Sequence, residues 1–269
     1  MLGIFDSGLG GLTITKEILE SLPEYQIVYF GDTAHLPYGN RSQKIIYQLT
    51  QRAVDFLFEQ GAELIIIACA TASAEALRKI QQEYLPKKYK GTGKNVLGVI
   101  RPLVEQAVKV TKNKRVGVVG TRGTVNSKAF VKEIRKLDPK MEIYQKACPL
   151  LVPLIEEAWT KKPETKMILR KYLIPLKQKQ VDTLILGCTH YPLLYREFVR
   201  KMGKRCKVLN TGEVVARSLV NYLKRHPEIE KKLKKGDKHR FFVSDITPHF
   251  SEIASKWLGR KVKLELVKN

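Results

Sequence analysis

Short apolar runs that end in polar or glycine-rich residues recur along the whole chain. They are GIFDS (3–7), IVYFGD (27–32), LIIIAC (64–69), VLGVI (96–100), VGVVGT (116–121), IYQKAC (143–148), TLILGCT (183–189), KVLN (207–210) and RFFVSD (240–245). Each is of strand length, and segments with helical periodicity separate most of them. Residues 42–60, SQKIIYQLTQRAVDFLFEQ, put Ile45, Ile46, Leu49, Val54, Phe56 and Leu57 broadly on one side. Ser42 is placed to cap the start of this helix, and Gly61 to end it. Alternation of this kind predicts a parallel sheet flanked by helices.

Nine or ten strands are many for one open sheet, and the pattern restarts near residue 95, after the loop-rich GTGKN (91–95). From there VLGVI, RPLVEQAVKV and VGVVGTRGT repeat the strand, helix, strand, glycine-loop order of the first 35 residues. LIIIACATAS and LILGCTHYP are likewise analogous strand-to-helix corners. The expected fold is therefore α/β, with two doubly wound, flavodoxin-like parallel-sheet domains in pseudo-symmetric arrangement around a central cleft. The segment from about 207 onward could close either sheet. In open parallel sheets ligands bind beyond the carboxyl ends of the strands. Asp6–Ser7, Asp32–Thr33, Cys69–Thr71, Thr121–Thr124 and Cys188–His190 all fall at such ends.

Candidate chemistry narrows from there. DSGLGG (6–11) lacks the GxGxxG order, and GVVGTRGT (117–124) lacks a lysine-serine ending, so neither a dinucleotide fold nor a P-loop is supported. A backbone nest for a carboxylate or phosphate remains open, and no GxSxG elbow occurs. The four cysteines, Cys69, Cys148, Cys188 and Cys206, form no CxxC pair, and the five histidines do not join them at zinc-ligand spacing. No metal is expected. Cys148 and Cys206 read as core thiols. Cys69 and Cys188 each close a strand and open a helix, a setting expected to lower a thiol pKa. His190 lies two residues after Cys188 and could serve as its base. Three readings follow: structural cysteines, a cysteine hydrolase or transferase, or a pair of thiols moving a proton to and from opposite faces of one carbon.

Composition adds two constraints. Hydrophobic content is 43%, no run approaches membrane-span length and no signal-peptide pattern opens the chain, so a cytoplasmic globular protein is expected. Lys and Arg number 49 against 26 Asp and Glu, a net charge of +23. Such a field suits nucleic acid or acidic small molecules as partners, and a solvated lysine-rich surface explains it equally.

FDSGLGGLT (5–13), YFGDTAHLPYGNRS (29–42), ACATASA (68–74), CPLLVPLIEE (148–157), LGCTHYPLL (186–194) and SDITPHF (244–250) together resemble the glutamate racemases, a cofactor-independent branch of the aspartate/glutamate racemase group. The resemblance implies two α/β domains around a cleft, with 96–206 inserted between 1–95 and 207–269. It implies inversion at the Cα of glutamate by Cys69 and Cys188, with Asp6 assisting the first and Glu156 and His190 the second. Asp6, Ser7, Pro37, Tyr38, Gly39, Ala70, Thr71, Thr121, Thr124, Thr189 and His190 fall at its substrate-holding positions. No cofactor, a homodimer and a role in supplying D-glutamate to peptidoglycan are likewise implied. Two positions depart from the pattern. Ala70 stands where the family has asparagine, and Arg101 where a glutamate is expected.

Overall fold

The computed structural model describes residues 1–267, so the last two residues of the 207–269 segment lie outside the described residues. Among the described residues ten strands form two sheets: β1 (Leu2–Asp6), β2 (Ile27–Gly31), β3 (Leu64–Ile67), β4 (Asn95–Gly98), β5 (Arg115–Gly120), β6 (Glu142–Ala147), β7 (Thr183–Gly187), β8 (Lys207–Leu209), β9 (Arg240–Val243) and β10 (Leu264–Leu266). The first sheet runs β10-β9-β2-β1-β3-β4 and the second β6-β5-β7-β8. All the pairings between these strands are parallel.

Omitting β9 and β10, both sheets share one order: second strand, first, third, fourth. The duplication read from sequence is thus present as topology. In each half the chain leaves the central strand on one side and returns on the other, so a crevice opens where the first and third strands end. Those ends carry Asp6 and Cys69 in the first half, and Thr121 and Cys188 in the second.

The borders sit later than the sequence suggested. β4 pairs with β3 in register Leu64↔Asn95, and β8 pairs with β7 in register Thr183↔Lys207. Each completes the sheet before it rather than opening the next. The chain therefore changes sheets after β4 and again after β8, not at residues 96 and 207. The C-terminal segment then returns to the first sheet through β9 and the three-residue β10.

Helices cover both faces of each sheet, which is why the strands read as unbroken apolar runs rather than alternating ones. Leu2, Ile4, Leu64 and Ile66 pack to one side of the first sheet, and Phe5, Ile65 and Ile67 to the other. In the second sheet Leu184 and Leu186 face one core, and Val116, Val118 and Ile185 the opposite one. The helix Gln43–Glu59 begins at Ser42, whose hydroxyl accepts from the Ile45 amide at 3.4 Å, and stops before Gly61 at φ +87°. Ile45 departs from its expected side and is 39% exposed.

Two remote basic segments meet on the surface, where Lys232 Nζ donates to the Thr92 carbonyl at 3.4 Å. Among the described residues no helix is long and apolar enough to cross a membrane.

Candidate active site

β1 ends on Asp6, whose carboxylate is fully buried. It accepts from the Gly8 amide at 3.0 Å and from the Thr189 hydroxyl at 3.3 Å, so it ties the first half to the second. Burial raises its pKa, against the opposing pull of His190 and of the Gly11 and Gly8 amides. Gly10, four residues on, serves close approach between the halves. A Cβ on Gly10 would stand 2.4 Å from Thr189 Oγ1 and 2.6 Å from His190 Nδ1. A few residues on, Thr13 Oγ1 donates to the Thr189 carbonyl at 2.8 Å.

Cys69 follows β3 and caps the helix Ala70–Glu75, its sulfur accepting from the Ala72 amide at 3.4 Å. Its thiol donates to Ser7 Oγ at 3.4 Å. The expected lowering of its pKa does not occur. Burial first, and the Asp6 carboxylate second, push it up to about 12. A six-residue helix cannot offset that desolvation. At neutral pH Cys69 is a thiol.

Cys188 follows β7 in the second half and has a different neighbour. Its sulfur lies 3.8 Å from His190 Nδ1, and His190 Nε2 lies 3.0 Å from Glu156 Oε1. Burial opposes charge on the ring, but hydrogen bonding to Cys188 and Glu156 outweighs it and pushes the His190 pKa up to about 10. An imidazolium therefore stands beside the second sulfur at neutral pH. The Trp257 ring meets His190 edge-on, with centroids 5.4 Å apart.

Three threonines close the seam between the halves. Thr71 Oγ1 lies 2.9 Å from Thr121 Oγ1 and 3.1 Å from Thr124 Oγ1, while Thr121 caps the short helix Arg122–Asn126. The 37–39 wall is held by the Tyr38 hydroxyl, which donates to Asp32 Oδ2 at 2.6 Å; Asp32 Oδ1 accepts from Ser244 at 2.7 Å.

Both thiols line one cavity of about 300 Å³. Ser7, Pro37, Tyr38, Gly39, Ala70 and Thr71 line it from the first half, and Thr121, Glu156, Thr189 and His190 from the second. Asp6 and Thr124 stand behind that lining and anchor it. Leu36, Asn40, Arg122, Pro149, Val152 and Pro153 complete the wall and were not singled out from sequence. Arg122 had a usable signal, a cation inside the GTRGT loop; the others are unremarkable in pattern.

A larger opening of about 700 Å³ lies elsewhere, between helices of the two halves. No thiol and no histidine lines it. Arg101 lines that other opening and pairs with Glu105 at 2.6 Å and Glu133 at 3.7 Å. Its charge is spent on neighbours of its own half, and it is absent from the lining of the thiol cavity. Cys148 and Cys206 are buried, free and packed in the second half's core. Among the described residues no cluster of three or more His, Cys, Asp or Glu side chains is placed to hold a metal ion.

The model of the Asp/Glu/Hydantoin racemase family matches residues 3–219. The chain belongs to this family. It is an amino-acid racemase. Glutamate racemase from Geobacter metallireducens is 41% identical over 97% of this chain and 93% of its own length. That from a Sulfurihydrogenibium species is 38% identical over 98% and 97%. Among solved structures, the racemase superposes on glutamate racemase isoform RacE1 from Bacillus anthracis with a TM-score of 0.90 at 33% identity, covering 100% of this chain and 97% of that one. The Francisella tularensis glutamate racemase, solved in complex with D-glutamate, gives 0.88 at 32% identity over 99% and 97%.

Proposed function

We propose that the racemase interconverts L- and D-glutamate by two-base proton transfer between Cys69 and Cys188. The observation that carries this is the placing of two buried thiols, one from each half, on a single small cavity. One thiolate removes the Cα proton, and the resulting carbanion takes a proton from the opposite thiol. The two sulfurs end with exchanged protonation states, ready for the reverse turnover. The likeness to relatives that bear the name glutamate racemase supports the substrate.

The resting protonation fits one direction. Cys69 holds its proton, while the His190 imidazolium lies 3.8 Å from the Cys188 sulfur. Cys188 is then the base toward L-glutamate and Cys69 the acid that delivers the proton on the D face. The Ser7, Thr71, Thr121 and Thr189 hydroxyls supply donors to the substrate's carboxylates. Ala70 withholds the amide that the family pattern places there, and loss of one such bond to a charged group weakens binding by about 10-fold or more. The D-glutamate formed would feed peptidoglycan. A chiral assay for D-glutamate made from L-glutamate tests the substrate: steady formation is expected, and its absence at saturating glutamate overturns the assignment.

A further inference from the structure

Arg122 has no part in the scheme above, yet it lines the thiol cavity. It is exposed, whereas Cys69, Thr71, Cys188, Thr189 and His190 are buried, so it stands at the mouth. Its backbone is fixed by both neighbours. The Thr121 hydroxyl bonds Thr71 across the seam, and a Cβ on Gly123 would meet the Gly39 carbonyl at 3.1 Å. Among the described residues Arg122 forms no ion pair of the kind that engages Arg101, Arg115, Arg200 and Arg240. The other charged side chains on the wall, Glu156 and His190, neutralise each other. Apart from the two cysteines, everything else that lines the cavity is a neutral polar group or apolar.

A dicarboxylate amino acid carries a net negative charge into this space, and neutral hydroxyls alone do not balance it. We infer that Arg122 pairs with the distal carboxylate of the substrate and sets the preference for an acidic side chain. This rests on the glutamate reading. A guanidinium at the rim suits the role, since its planar fork grips a carboxylate with two parallel hydrogen bonds. It also offers the incoming anion a cation where Ala70 provides no polar group.

The test pairs kinetics with binding. Arg122→Met is expected to raise KM for L-glutamate about 10-fold and leave kcat nearly unchanged, because the contact is made in ground and transition states alike. Arg122→Lys should recover much of the loss, and the fall of kcat/KM with added salt should be shallower in Arg122→Met than in the parent. Calorimetry with glutarate, which needs no turnover, should show weaker binding to Arg122→Met, with butyrate unaffected. An unchanged KM together with unchanged glutarate affinity overturns the inference. If the parent enzyme itself fails to turn over glutamate, the proposed function falls, and parent and variant binding glutarate equally would then dispose of Arg122 separately.

Discussion

At the first corner Cys69 faces the Ser7 hydroxyl, with a buried carboxylate behind it; at the second, Cys188 faces an imidazole backed by Glu156. The backbones match, since each cysteine follows the third strand of a sheet with the same strand order. The electrostatics do not. The first corner holds a proton on sulfur and the second supplies a positive neighbour to it. A two-base reaction needs that difference, because two thiols in the same state could not remove and deliver a proton in one turnover. On the proposed mechanism, topological duplication provides the symmetry that the substrate's two enantiomers require. Side chains outside the repeated pattern, His190 and Glu156, provide the asymmetry.

The largest effect should come from deleting either side of the comparison. Cys69→Ser and Cys188→Ser are each expected to lower kcat by about 10²- to 10⁴-fold, the range for a lost acid or base, measured by circular dichroism of glutamate solutions. Retained activity in one of them would reduce the pair to a single working thiol. His190→Asn attacks the asymmetry alone. Iodoacetamide should label Cys188 ahead of Cys69 in the parent, read by peptide mass spectrometry, and the gap should shrink in this variant.

His190 also predicts a pH dependence whose sign is fixed. Its folded pKa of about 10 lies above its ordinary 6.5, so the folded state binds the extra proton between those values. Its contribution to stability is complete below about 6.5 and is lost as pH rises through about 10. The melting temperature of the parent should therefore fall toward that of His190→Asn as pH climbs, and a constant difference would contradict the charged imidazole.

Between the corners, Gly10→Ala should destabilise the fold by about 1–3 kcal/mol, since its methyl would press on Thr189 and His190. Urea unfolding measures this. The smallest expected change is a gain: Ala70→Asn, which returns an amide to the first corner, should raise kcat/KM for glutamate about 10-fold.

Much of this molecule could be read before its fold was seen, and the gaps have physical causes. Strand ends, the Ser42 cap and the two cysteine corners are local patterns, so they were legible. Assignment of β4 and β8 to their sheets was not, because which strand a segment joins depends on partners far away in sequence. β10, with three residues, is too short to carry a period. The Cys69 proton affinity was misjudged because burial, invisible in the chain, outweighs the helix terminus. Glu156 and its neighbour Glu157 are indistinguishable as letters, and only the approach of His190 separates them. Within DSGLGG, nothing in the letters shows that Gly10 is needed for the opposite wall.

The central claim, one thiol on each face, is tested most directly by deuterium entry during early turnover of L-glutamate in D2O. Two bases predict deuterium at Cα of the D-glutamate formed, with recovered L-glutamate still carrying hydrogen. Deuterium accumulating in recovered L-glutamate as fast as in product would mean that one base serves both faces, and the account would fail.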